Sequence, residues 1–151
     1  MTQMYEVTTL LGGLVFPEAP RWRGNRLYFS DIYGGRVMSV DPSGRSETVA
    51  TMPMPSGIGW TNEGEMLVVS MEMPPHVFRA ADGQATPAID LGSVARWPCN
   101  DMVIDGRGTA YIGQLGFYIL PDGSPAAPPQ DARLIAVGSD AARPALSLIH
   151  I

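Results

Sequence analysis

The chain is poor in cysteine, in basic residues and in long apolar runs, and each shortage excludes a class of protein. A single cysteine, Cys99, cannot form a disulfide framework. Only 10 of the 151 residues are Lys or Arg, against 15 Asp and Glu, and the net charge is −5. This balance disfavours nucleic acid and anionic membranes as partners. No apolar run approaches the length that crosses a bilayer.

The N-terminus also lacks the features of a secretory signal. It has no positively charged region, and the apolar stretch 10–16 is short and interrupted by two glycines. Since nothing in the sequence requires an oxidising compartment, we expect a cytoplasmic protein.

Helical periodicity is missing as well. Gly (17 residues) and Pro (14) are frequent, which indicates many turns. Short apolar runs bounded by Gly, Pro, Asp and Ser are typical of strands. They cover residues 27–29, 36–40, 47–50, 57–60, 66–70, 76–79, 101–105, 109–113 and 133–137. The sequence therefore predicts an all-β protein.

These runs repeat in a fixed order of strands and glycine turns, with a period of about 40 residues that is typical of a four-stranded propeller blade. A β-sandwich has no reason to repeat the order of its turns. We predict a partial β-propeller of about three blades, near residues 14–54, 55–97 and 98–145. The third blade contains a Pro- and Gly-rich insertion, residues 121–131, which we expect to be an irregular loop.

Three blades do not close a ring, so residues 1–145 are interpreted as a truncated propeller domain. Residues 146–151 break the repeat and match the in-frame translation of a sequencing-library adapter. We interpret them as a non-native tail; the alternative is a genuine apolar C-terminal strand.

The segment 16–22 mounts a carboxylate between two prolines. Each proline fixes its own φ and drives the preceding residue toward extended geometry, so Glu18 is held on a stiff, non-helical segment. A stiff carboxylate is a suitable ligand for a hard metal ion. The alternative is a surface Glu in a Pro-rich loop.

A second polar signature, Asn100 and Asp101, follows Pro98 at the start of a predicted inner strand. Carboxylate and carboxamide oxygens suit a cation such as calcium or magnesium. Only one of two adjacent strand residues faces the channel, and we assign the ligand role to Asn100. Asp101 is expected to cap a turn through its own backbone.

Residues 16–22, 28–31, 57–59 and 100–108 resemble the senescence-marker-protein/gluconolactonase (regucalcin-like) family. The resemblance runs from about residue 14 to residue 140 and implies a six-bladed propeller with one divalent metal ion in its channel. Members of that family hydrolyse sugar lactones, and relatives hydrolyse other esters or organophosphates.

The resemblance also implies roles for individual residues. Glu18 matches the family's metal ligand, and Asn100 matches an Asn that contacts metal or substrate. Phe117 lies where the family lines its pocket, with a core position as the alternative. The remaining ligands, an Asn and an Asp, belong to later blades and are absent here. Many members have an Arg where this chain has Pro98, which weakens the case for an aldonolactone substrate.

The function predicted from these features is metal-assisted hydrolysis of a sugar lactone or related ester by the full-length parent. Calcium is the cation expected first, with zinc, magnesium and manganese as alternatives. The general base is expected to be the missing Asp, and Asp101 is a weaker candidate. This fragment itself is expected to be inactive. The competing hypothesis is a propeller that binds a partner without catalysis.

Overall fold

The computed structural model describes residues 5–118, 120, 124–126 and 128–138, and the regular structure in these residues is β-strand. The strands, in chain order, are β1 (Pro17–Arg23), β2 (Arg26–Asp31), β3 (Arg36–Val40), β4 (Ser46–Thr51), β5 (Pro55–Trp60), β6 (Met66–Ser70), β7 (His76–Ala81), β8 (Gly83–Asp90), β9 (Cys99–Ile104), β10 (Ala110–Gln114) and β11 (Arg133–Val137). Within the described ranges, no helix could span a membrane. The tail 146–151, interpreted above as non-native, lies outside the described residues.

The strands form three antiparallel meanders, one in each predicted blade: β1–β4 in blade 1, β5–β8 in blade 2 and β9–β11 in blade 3. Blades 1 and 2 join at their outer edges, where β4 and β8 pair in parallel. In each blade the first strand is the innermost one. The first strands contact each other, β1 with β5 and β5 with β9, and together they form the part of the molecule that we call the hub.

Two strands, β1 and β8, were not among the predicted apolar runs. β1 contains Pro17 and Pro20, which a strand tolerates because β1 is the edge of its sheet and Pro20 lies within a bulge. β8 is mostly exposed, because only its first two residues pair with β4, so it carries little apolar signal.

The core lies between the blades. Alternation along β6 sends Met66 and Val68 toward blade 1, where they pack with Val37, and sends Leu67 and Val69 toward blade 3. Because both faces of β6 are covered, the strand reads as a continuous apolar run.

The remaining face of blade 1 is covered by the N-terminal segment. Leu11 and Leu14 pack against the buried side chains of Phe29, Met38 and Val40. These contacts anchor the chain just before it enters β1.

The buried carboxylate of Asp31 fixes that entry point. Its Oδ1 accepts the backbone N–H groups of Val15 (2.9 Å) and Phe16 (2.8 Å), and its Oδ2 pairs with Arg36 at 3.0 Å. Burial alone would raise the pKa of the Asp31 carboxyl, but these hydrogen bonds outweigh it and hold the pKa below its ordinary value. Asp31 thereby sets the position from which β1 and Glu18 begin.

Candidate functional site at the hub

The same backbone hydrogen bond marks the start of each inner strand. A residue just after the second strand of the blade donates its N–H to a carbonyl just before the first strand. The three bonds run from Ile32 to Phe16 (3.0 Å), from Met71 to Met54 (2.9 Å) and from Leu115 to Pro98 (2.9 Å). Counting two residues forward from each acceptor gives Glu18, Ser56 and Asn100. These three side chains therefore occupy equivalent positions at one end of the hub.

A β-bulge follows or contains each of these positions. The register shifts between Glu18 and Arg21 in β1, between Pro55 and Ile58 in β5, and in β9 opposite the step from Ile112 to Gln114. Ala19, in the first bulge, has a φ of 51°. Because bulges re-aim side chains and increase local twist, three aligned bulges distinguish this end of the hub from the regular sheet around it.

Hydroxyl groups connect the three blades at this end. Ser30, the cross-strand partner of Glu18, donates its hydroxyl to the carbonyl of Ser56 at 2.6 Å. The Ser56 hydroxyl in turn donates to Oδ1 of Asn100 at 2.5 Å. Ser30 and Ser56 are both fully buried. This chain of bonds, Ser30 to Ser56 to Asn100, runs across all three blades.

An ion pair makes a second link across the hub. Arg21 Nη2 donates to Asp101 Oδ1 at 2.8 Å and to the carbonyl of Met102 at 2.7 Å. The same Asp101 oxygen accepts the N–H of Met102 at 2.8 Å. Asp101 therefore lies within β9 rather than at a turn. It bonds to the backbone of the next residue and also to an arginine 80 positions earlier, which the sequence did not indicate.

The hub is so narrow that β5 carries glycine where it faces β9. A Cβ on Gly57 would overlap the backbone nitrogen of Met102, and a Cβ on Gly59 would lie 2.7 Å from Cγ1 of Ile104. Gly57 is therefore required by the close approach of two inner strands, whereas at Gly59 the side chain of Ile104 would have to move.

Glu18 lies in this arrangement without a partner. It is half-buried, and among the described residues its carboxylate makes no hydrogen bond or ion pair. Directly opposite residues on antiparallel strands share a face, so Glu18 belongs to the same face as Ser30. Glu18 also borders a cavity of about 400 Å³ between β1 and the N-terminal segment. Leu10, Leu14 and Phe29 are among the residues that line it.

Two other residues near the site, Phe117 and Cys99, are half-buried and fully buried. Phe117 is half-buried in the irregular segment after β10, next to Gly116, whose backbone binds Gln130 at 2.7 Å. Cys99, adjacent to Asn100, is fully buried, and burial raises the pKa of its thiol to about 12. A thiol in this state does not supply a nucleophile.

The described oxygens fit part of a cation site. Glu18 offers a carboxylate, and the carboxamide oxygen of Asn100 keeps a lone pair beyond the one that accepts Ser56. Over the described ranges, no group of three or more His, Cys, Asp or Glu could hold a metal ion. The hub residues are therefore hard donors in too small a number to complete a coordination sphere.

Ser56 and Arg21 are the hub residues that sequence reasoning missed. Ser56 could have been found, because Pro55 and Ser56 occupy the place in the second repeat that Pro17 and Glu18 occupy in the first. Arg21 carries no such signal, since its partner lies in another repeat and nothing in the sequence pairs the two.

Comparison with known proteins finds a family whose sequence model matches this chain. A family model described as "SMP-30/Gluconolactonase/LRE-like region" matches residues 16–148. No curated protein sequence matches the chain.

Solved structures resemble the chain in fold. A gluconolactonase from Xanthomonas campestris aligns with a TM-score of 0.70 at 19% identity, over 95% of this chain and 49% of its own length. A candidate gluconolactonase aligns with a TM-score of 0.68 at 16% identity, over 93% and 50%. Virginiamycin B lyase from Staphylococcus aureus aligns with a TM-score of 0.55 at 12% identity, over 89% and 55%.

This chain spans about half the length of these structures. At such low identities the likeness shows the fold alone, and the prediction of an all-β, partial propeller is confirmed.

Proposed function

This chain belongs to the SMP-30/gluconolactonase/LRE-like family, and we propose that its full-length parent hydrolyses a sugar lactone or related ester with the help of one divalent metal ion. Membership of the family and the gluconolactonases among the structural neighbours support a lactonase-type hydrolase. The dependence on a metal ion and the roles of individual residues go beyond that support and are part of our proposal.

The observation that carries the proposal is the equivalence of Glu18, Ser56 and Asn100. Three inner strands, from three repeats with different sequences, each present an oxygen-bearing side chain at the same height of the hub. The opposite ends of β1 and β5 are different, since both reach Trp there. Such a concentration of oxygen donors at one end of a propeller channel is suited to a cation and a polar substrate.

In this proposal Glu18 and Asn100 hold the metal ion, with calcium expected first. When bound, such an ion acts as a Lewis acid that polarises a carbonyl oxygen. Glu18 fits the role because its carboxylate has no partner among the described residues. Asn100 fits because its position is fixed by Ser56 and its side chain remains only half-buried.

The other residues of the hub have supporting roles. Arg21 occupies Oδ1 of Asp101, which favours a structural role for Asp101 and leaves it the weaker candidate for the general base. Phe117 is proposed as a substrate contact at the mouth of the pocket, where its half-buried ring can meet the ligand. The base itself and the remaining ligands are proposed to lie in the part of the parent that this chain does not include, so the fragment alone is expected to be inactive.

The test is a lactonase assay on the parent protein during titration with calcium after chelation. We expect turnover to depend on the metal, and Glu18→Gln to lower both metal affinity and turnover, because the amide loses the charge that attracts the cation. Glu63→Gln is the matched control, since Glu63 is an exposed glutamate in the turn between β5 and β6, away from the site.

Two results would contradict the proposal. Turnover that survives complete chelation would exclude the metal, and a Glu18→Gln parent with unchanged affinity and activity would remove Glu18 from the site. A parent that opens no lactone or ester under any metal, yet folds, would favour the alternative of a non-catalytic binding propeller.

A further inference from the structure

The structure assigns Ser56 a role that neither the family nor the sequence motifs give it: Ser56 is a positioning residue that fixes the orientation of the Asn100 side-chain amide. Its consequence for catalysis depends on the function proposed above. The contact itself does not depend on that function and can be tested separately.

Ser56 is suited to this task because it is buried and both its hydroxyl and its carbonyl are engaged. Its side chain is fully buried, so its hydroxyl cannot turn to water. The hydroxyl donates to Asn100 Oδ1 at 2.5 Å, and its carbonyl accepts the Ser30 hydroxyl at 2.6 Å. A hydroxyl has one proton to donate, and here that proton is directed at one atom of the amide.

The hydrogen bond from Ser56 makes one of the two orientations of the Asn100 amide more favourable than the other. An asparagine amide can rotate by half a turn and exchange its oxygen for its nitrogen at little steric cost. A donor fixed at Ser56 selects the orientation in which Oδ1 faces β5, and the amide nitrogen is then turned away. In the described residues this nitrogen has no hydrogen-bond partner, so Ser56 alone distinguishes the two orientations.

Groups that orient a ligand from behind are a regular part of metal and substrate sites. Their removal lowers affinity or activity about 10- to 100-fold, although they touch neither metal nor substrate. Ser56 stands in this relation to Asn100: it is a fully buried hub residue whose hydroxyl bonds to the half-buried amide.

The contact can be tested in the 151-residue chain by NMR. The chain has three asparagines, Asn25, Asn62 and Asn100, so labelling with ¹⁵N-asparagine gives three side-chain amide pairs. We expect Ser56→Ala to shift the Asn100 pair and to leave the other two in place, because Asn25 and Asn62 lie in turns at the opposite end of their blades. An unmoved Asn100 pair would overturn the inference.

The matched control is Ser70→Ala. Ser70 is a buried serine in the neighbouring strand β6, and its hydroxyl donates to the carbonyl of Pro53 at 2.9 Å rather than to an amide side chain. A general loosening of blade 2 would affect both variants, whereas loss of the orienting donor affects Ser56→Ala alone. Should Ser56→Ala fail to fold, Ser56→Thr keeps the hydroxyl and is expected to preserve the Asn100 signals.

The catalytic consequence is measured in the parent protein. We expect kcat/KM for a lactone to fall about 10- to 100-fold in Ser56→Ala, to recover in Ser56→Thr and to be unchanged in Ser70→Ala. A Ser56→Ala parent with wild-type kcat/KM would overturn the positioning role. If the parent opens no lactone while the NMR shift is seen, the proposed function fails and the orienting contact stands.

Discussion

Blades 1 and 2 are paired at their outer edge, whereas in the described residues blades 2 and 3 have no strand pair at the corresponding place. Between the first two blades, β4 and β8 pair through Ala50 and Thr51, and Thr51 Oγ1 donates to the carbonyl of Gly83. Between blades 2 and 3 there is a cavity of about 560 Å³. Its floor is apolar, formed by Leu67, Ala110, Ile135 and Val137.

At the hub the comparison is reversed, because the tightest contact between inner strands lies between blades 2 and 3. β5 lies against β9 so closely that Gly57 has no room for a Cβ. The comparison shows that hub and rim are packed by different parts of a blade. Inner strands pack against each other directly, while closure of the rim depends on a fourth strand, and blade 3 has three strands among its described residues.

The largest effect is expected from Gly57→Ala, which acts on the tightest point. A methyl group there meets backbone rather than a movable side chain, so β5 and β9 must separate. We expect a loss of about 3 kcal/mol or more in the free energy of unfolding, enough to unfold a marginal domain. Chemical denaturation followed by circular dichroism measures this loss.

Gly106→Ala is the control for that change. Nothing lies within 4 Å of a Cβ at Gly106, so its stability should stay close to that of the unmodified chain. Equal losses in the two variants would show that the hub is not the tight end of the interface.

A smaller loss in the free energy of unfolding is expected from a substitution at the contact between blade 1 and the N-terminal segment. Asp31→Asn keeps an acceptor for Val15 and Phe16 but removes the charge that pairs with Arg36. We expect a loss of about 2 kcal/mol at neutral pH, since hydrogen bonds to a buried charged group are worth about that much.

The pH dependence gives this prediction a sign. Because the pKa of Asp31 is lower in the folded state, its contribution is complete above the unfolded pKa near 3.8 and is lost as pH falls through the folded pKa. Asp31→Asn should therefore flatten the fall in stability below about pH 4, whereas Asp82→Asn, at an exposed turn, should not. The same acid slope in both variants would contradict the assignment.

The repeat predicted the features that depend on local order. Short apolar runs and glycine turns place most strands, and the repeat predicted corresponding places for Glu18 and Asn100, which the equivalent backbone bonds give them. The prolines alone do not give this alignment, because Pro17 corresponds to Cys99 and not to Pro98. Such features can be read from sequence because every blade must solve the same packing problem with neighbouring residues.

Features that depend on distant contacts could not be predicted. The bond from Arg21 to Asp101 joins residues 80 positions apart, and neither residue type indicates the other. The reason for Gly57 is likewise in another repeat, at the backbone of Met102. β1 was overlooked for a different reason, because prolines at an edge strand resemble a loop when the edge is unknown.

The difference between the two rims can be measured with one type of substitution. Ala50→Val adds two carbons where β4 and β8 already meet, and overpacking should cost about 1–3 kcal/mol. Ala110→Val adds the same atoms beside the cavity, where filling should gain up to about 1 kcal/mol. Both sites are in strands and both alanines are buried, so strand propensity cancels in the comparison. Losses of equal size would mean that the two rims are packed alike.

The least perturbing test uses Cys99, which lies in the core between blades 2 and 3. Because burial raises the pKa of its thiol to about 12, it should react with a disulfide reagent at pH 8 only when β9 opens. Ala80→Cys adds a second thiol in the core between blades 1 and 2, where Ala80 is also buried. Mass spectrometry after limited labelling distinguishes the two sites. We expect Cys99 to be labelled first. In the part of the chain that the structure describes, opening its interface breaks no outer strand pair, whereas opening the other interface also separates β4 from β8. Labelling in the reverse order would show that the close contact at Gly57 stabilises blade 3 more than the open rim weakens it.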